Sequence, residues 1–135
     1  LAYIQQLKDA DKVVISAPMW NFSIPYKLKH YFDIICQPGE SFGFDPKTLD
    51  YIGLITGKPL QLILASSSPY VSAFPQDNGE TKKDYKRSYL QHIARFIGFD
   101  DVRTIKIEPT TGLSKDVNSM FEGKLTELKA AAKQF

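Results

Sequence analysis

The chain has 135 residues, room for one ordinary domain and too little for two, and its 43% hydrophobic, 24% charged and 13% aromatic residues exclude disordered, collagen-like and coiled-coil classes. Seventeen Lys plus Arg against fifteen Asp plus Glu leave a net charge of +2, too small to argue for nucleic acid or a membrane as partner, and the longest apolar runs, residues 13–17 and 60–65, fall far short of the about 20 residues that span a bilayer. A single cysteine, Cys36, excludes an internal disulfide and suits the cytoplasm, and one Cys with two His, His30 and His92, argues against a structural zinc or other metal site.

In chain order, Leu1, Ile4 and Leu7 recur every three residues between Gln5, Gln6 and Lys8, which predicts a short amphipathic helix over residues 1–10. Val13, Val14 and Ile15 are β-branched and bounded by Ser16-Ala17-Pro18, the pattern of a strand buried on both faces, as in a parallel sheet. Pro25 suits the first turn of a helix, and Leu28, Tyr31, Phe32 and Ile35 continue at helical spacing until Pro38-Gly39. Residues 39–58 are rich in Gly, aromatics and turn signals; residues 41–44 and 51–55, separated by Asp45-Pro46-Lys47, predict a small hairpin. A second buried strand over residues 60–65 breaks into Ser66-Ser67-Ser68-Pro69. After a turn-prone stretch at residues 75–80, Tyr85, Tyr89, Ile93, Phe96 and Ile97 mark one helical face, with Gly98 as the stop. Residues 102–107 are a third strand, and residues 114–134 a closing helix with Val117, Met120, Phe121, Leu125 and Leu128 as its apolar stripe.

This alternation predicts an α/β fold, a parallel sheet covered by helices on both faces. Ligands of open α/β sheets bind beyond the carboxyl ends of the strands, so residues 18–25 and 66–70 are the segments to search. The first places Met19, Trp20 and Phe22 with the Asn21 amide on a loop directly after a buried strand. A planar heteroaromatic ligand needs such flat apolar walls with a few fixed donors and acceptors at its rim. The alternative is a local cluster in which Trp20 and Phe22 cap the sheet and Asn21 makes a turn. Several other features carry less. Gly53-Leu54-Ile55-Thr56-Gly57-Lys58-Pro59 has the wrong spacing and a Pro where a phosphate loop needs Ser or Thr. Lys82, Lys83, Lys86 and Arg87 read as a solvated helix face, His30 and His92 as surface or packing residues, and Cys36 as a core or half-buried thiol.

The run Ala17-Pro18-Met19-Trp20-Asn21-Phe22-Ser23-Ile24-Pro25, followed by Leu28-Lys29 and Tyr31-Phe32-Asp33, resembles the isoalloxazine-binding loop and following helix of the FMN-dependent NADH-azoreductase and quinone oxidoreductase family. The resemblance continues through Pro38-Gly39-Glu40-Ser41-Phe42-Gly43-Phe44, Gly53-Leu54, Thr56-Gly57-Lys58 and Phe96-Ile97-Gly98-Phe99. It implies a flavodoxin-like three-layer fold with strand order 2-1-3-4-5, of which this chain holds the last three strands. It further implies FMN as cofactor, NAD(P)H as electron donor, and a quinone or azo compound as acceptor in a ping-pong cycle. Pro18, Met19, Trp20, Asn21, Phe22, Ser66, Ser67, Ser68 and Tyr70 match the flavin-binding positions, and Phe42 and Phe44 the substrate-pocket wall of a homodimer. The chemistry then belongs to the flavin, with no side-chain nucleophile or acid–base pair.

Two departures accompany the resemblance. The family's first strand, Ser-rich phosphate loop and helix, and second strand have no counterpart, a unit of about 30 residues or more. The chain also begins Leu1-Ala2-Tyr3, with no initiator Met or targeting sequence. The expectation is a single flavodoxin-like domain over residues 1–135, incomplete at its N-terminus, whose first strand presents an exposed edge. The loop that in many relatives reads Ser-Arg-Gly-Gly reads Ser66-Ser67-Ser68-Pro69 here. The alternative function is a truncated module without bound FMN, acting in dimerisation or as a structural remnant. A flavodoxin-type electron carrier is disfavoured by the positive net charge.

Overall fold

In a computed structural model of the chain, which describes residues 2–69, 84–112 and 114–135, the three predicted strands form one parallel sheet. These are β1 (Val13–Pro18), β4 (Leu60–Ala65) and β5 (Val102–Ile107), in the order β1-β4-β5. Val13 lies opposite Leu60, and Leu60 opposite Val102, without slippage to the strand ends. Because side chains alternate across a strand, this register puts Val13, Ile15 and Ala17 on one face with Leu60, Leu62 and Leu64. That face is the core, in which Leu60, Leu62 and Leu64 are buried with Ala17.

Three helices cover it: α1 (Ala2–Asp9) through Ile4 and Leu7, α2 (Tyr26–Ile35) through Phe32 and Ile35, and α3 (Tyr85–Ile97) through Leu90, Ala94 and Ile97. α4 (Ser114–Gln134) lies on the other face, where Leu128, Ala131, Ala132 and Phe135 border a groove of about 240 Å3 against Val14, Gln61, Ile63 and Ile105. No helix among the described residues is long and apolar enough to cross a membrane. β2 (Phe42–Asp45) and β3 (Asp50–Gly53) pair antiparallel as the predicted hairpin.

Local signals explain the boundaries. Pro25 sits just outside α2 rather than in its first turn; its carbonyl accepts from Leu28 and Lys29 N–H at 2.9 and 3.1 Å. Asp84 caps α3, its Oδ1 accepting from Arg87 N–H at 3.0 Å, and Gly98 closes that helix with a left-handed φ of 119°.

Four expectations need correction. β1 is covered on one face only, since Val14 and Ser16 are exposed at the edge strand of the sheet. The buried stripe of α3 is Lys86, Leu90, Ala94 and Ile97; Tyr85 is exposed, and Tyr89, Ile93 and Phe96 are half-buried. Lys86, expected on a solvated face, is wholly buried, Arg87 is half-buried, and Lys82 and Lys83 lie outside the described residues. The reason is that α3 begins beside the carboxyl end of β4, where the Ala65 carbonyl and the Ser66 hydroxyl are within reach of a lysine and a leucine could satisfy neither. In α4, Phe121 and Leu125 are exposed, so the inward part of the stripe is Val117, Met120 and Leu128.

Three acidic groups on the contacts of α2 with α1 and α3 make the fold sensitive to alkali. Burial pushes the Cys36 thiol up, with Asp33 adding and Lys29 opposing. Burial likewise raises the Tyr31 and Tyr89 hydroxyls. Each folded pKa lies above its unfolded value, so the stability they carry is complete below the unfolded values and is lost as pH rises through the folded ones. Lys86, lowered by burial, works in the opposite sense below the ordinary lysine value. Melting temperature should therefore hold between pH 7 and 8.5 and fall above about pH 9. Tyr31→Phe should flatten that fall, and an unchanged slope in a pH series of thermal melts would contradict the assignment.

Candidate functional site

The loop after β1 is a tight two-residue turn. Trp20 N–H donates to the Ser23 carbonyl and Ser23 N–H to the Trp20 carbonyl, both at 2.9 Å, with Asn21 at φ 47° and Phe22 at φ 68° between them. Two consecutive left-handed residues are the pattern of a type I′ turn. Asn tolerates that conformation; for Phe it is strained, at a cost of about 1–3 kcal/mol. The surroundings hold the turn. Met19 N–H donates to the Ala65 carbonyl at 2.8 Å, the Phe22 carbonyl accepts from Lys86 N–H at 3.2 Å, and Ile24 is buried in the core. The strain keeps Trp20 52% and Phe22 39% exposed beside an exposed Asn21. Asn21 thus makes the turn, but Trp20 and Phe22 do not bury themselves as a sheet cap.

The loop after β4 runs beside it. Ser66 is buried and fully engaged: its hydroxyl donates to Glu108 Oε2 at 2.8 Å, and its carbonyl accepts from Thr110 N–H and Oγ1 at 3.0 and 3.1 Å. The Ser67 carbonyl accepts from Thr111 Oγ1 at 2.7 Å. Of the three serines Ser67 and Ser68 are exposed, as is Pro69, and Pro18, paired with Ala65, is exposed at the end of β1. Tyr70 lies outside the described residues.

Phe42 and Phe44 do not join this group within one chain. Phe42 packs on Phe96 at 4.7 Å between ring centroids, near the C-terminus of α3, whereas the Phe22 carbonyl meets Lys86 in its first turn. Those two points on α3 lie about 15 Å apart at 1.5 Å per residue.

Reading the sequence missed the side wall of the β1 loop. Trp20, Asn21, Ser23, Ile24, Tyr26, Lys29 and Tyr89 surround a cleft of about 410 Å3. Lys29 Nζ bonds Asp33 and lies 5.9 Å from the Tyr89 ring centroid, and the Asp33 hydrogen bond raises its pKa. The signal available is Lys29 one turn after Pro25; the helical spacing of Tyr89 speaks only of packing.

Residues 1–131 match the flavodoxin-like fold family. The chain belongs to that family. It is 45% identical over 107 residues to the FMN-dependent NADH:quinone oxidoreductase of Nitratidesulfovibrio vulgaris (strain DP4), covering 79% of this chain and 48% of that protein. It is 43% identical over 130 residues to FMN-dependent NADH:quinone oxidoreductase 1 of Bradyrhizobium diazoefficiens, covering 96% of this chain and 60% of that one. Among solved structures, the FMN-dependent NADH-azoreductase of Bacillus anthracis in complex with FMN superposes with a TM-score of 0.82 at 30% identity, over 98% of this chain and 60% of the other. The azoreductase AzrA superposes with a TM-score of 0.85 at 26% identity, over 99% of this chain and 61% of the other. The chain thus spans about half to three-fifths of the length of these relatives.

Proposed function

We propose that this flavodoxin-like chain forms the flavin-ring half of an FMN-dependent NADH:quinone oxidoreductase that also accepts azo compounds. The observation carrying the reading is the strained Asn21-Phe22 turn, which displays Trp20, Asn21 and Phe22 at the carboxyl edge of the sheet. Strain of that kind persists where the surroundings over-determine it and tends to mark ligand sites. The residues present fit the ring: Trp20 and Phe22 offer flat apolar surface, the Asn21 amide and turn backbone offer polar contacts at its rim, and Ser67 and Ser68 add hydroxyls alongside. Bound FMN would supply the redox chemistry, taking a hydride from NADH and passing electrons to the acceptor in ping-pong order. The relatives named for this activity support the reading, as does the fold shared with an FMN-bound azoreductase. In this reading Phe42 and Phe44, which sit on the hairpin packed at the end of α3, wall the site of a second copy in a homodimer. A cytoplasmic location accords with the single cysteine.

Flavin titration tests this. Wild-type protein should quench FMN fluorescence saturably and oxidise NADH only with flavin present, and Asn21→Ala should weaken FMN binding about five- to tenfold, the loss of about one hydrogen bond. A protein that carries its whole chain and neither binds FMN nor turns over NADH would favour the alternative of a flavin-free dimerising module.

A further inference from the structure

Lys86 is 0% exposed and stands where the three loops at the carboxyl edge of the sheet converge. Its Nζ donates to the Ala65 carbonyl at 2.9 Å and reaches Ser66 Oγ at 3.4 Å. The same Ala65 carbonyl accepts from Met19 N–H, so the β1 loop and the ammonium share one acceptor. Ser66 passes the connection to the β5 loop through Glu108, whose other carboxylate oxygen pairs with Lys106. The backbone of Lys86 holds the Phe22 carbonyl. Asp84, two residues earlier and also buried, has an Oδ2 with no hydrogen-bond partner among the described residues, a carboxylate left to balance a buried cation.

Burying an ammonium is costly, and an apolar side chain in this buried stripe of α3 would avoid that cost. What an apolar residue cannot do is bond the terminal carbonyl of β4 and a serine of the next loop together. We infer that Lys86 is a positioning residue: its buried ammonium ties the β4 and β5 loops to the carbonyl that anchors Met19, and so keeps the Trp20–Phe22 turn in its strained, outward-facing form. The inference rests on the flavin reading for its consequence, but the tie is measurable without flavin. Trp20 is the sole tryptophan of the chain and reports on the turn directly.

Lys86→Met removes the ammonium at similar length. The expected result is an altered Trp20 emission maximum and altered iodide quenching, FMN affinity weakened tenfold or more, and a lower midpoint potential of the bound flavin as a fixed positive charge is lost. Ile97→Val, at the far end of α3, serves as a destabilised control that should leave all three unchanged. If Lys86→Met does not fold, Ser66→Ala cuts the same chain of bonds and should shift Trp20 in the same direction. Unchanged Trp20 emission and quenching in the folded variant overturn the inference, whatever the flavin result. A Trp20 signal that shifts in the variant, while the unsubstituted protein with its whole chain binds no FMN, upholds the tie and overturns the flavin reading instead.

Discussion

Gly53→Ala should destabilise the fold by about 3 kcal/mol or more, or displace the β2–β3 hairpin outright. A Cβ at Gly53 would lie 2.2 Å from both Cα and N of Gly98 and 2.6 Å from the Ile97 carbonyl carbon. All three are backbone atoms, so no rotamer change relieves the contact. The approach is close because the chain leaving the hairpin bonds to the end of α3, with Ile55 N–H donating to the Ile97 carbonyl at 2.8 Å. Gly98 is required from the other side, since its φ of 119° excludes side chains and a Cβ there would meet Ile55 N at 2.8 Å. Pushing the strands apart would also break the ring contacts of Phe42 and Tyr51 with Phe96, at 4.7 and 5.6 Å. Urea unfolding of Gly53→Ala beside wild type checks this, and an unshifted midpoint would show that the two backbones do not pass as described.

Leu62→Ala should cost about 3 kcal/mol, because Leu62 is fully buried in the central strand, between Ile15 and Thr104 of its neighbours and beneath the α1–α3 layer. Val14→Ala, in the adjacent strand but on the opposite face, should cost well under 1 kcal/mol, since Val14 is 56% exposed. The pair therefore measures the asymmetry of the sheet. Equal shifts in urea midpoint for the two substitutions would contradict a core confined to one face.

The elements owed little to distant contacts. Short apolar and β-branched runs placed β1, β4 and β5, and helical periodicity placed α1 to α4. Gly98 and Pro25 marked boundaries because their backbone preferences act locally, and the residues of the Trp20–Phe22 loop were legible as a site because apolar side chains on a loop after a buried strand have no local reason to be there. What a residue meets across space was decided only by the tertiary structure. Lys86 reads as solvated in a basic run, yet it is buried because the carbonyl and hydroxyl that accept from it come from residues 65 and 66, about 20 positions earlier in the chain. The φ values of Asn21 and Phe22 depend on Lys86 and Ala65 gripping the turn from outside. Phe42 and Phe44 lie far from that turn because the hairpin docks on the end of α3 through two glycines whose partnership no periodicity encodes. Local propensity acts over a few residues, whereas the burial of a charge and the close passage of two backbones depend on chain segments that meet only after folding.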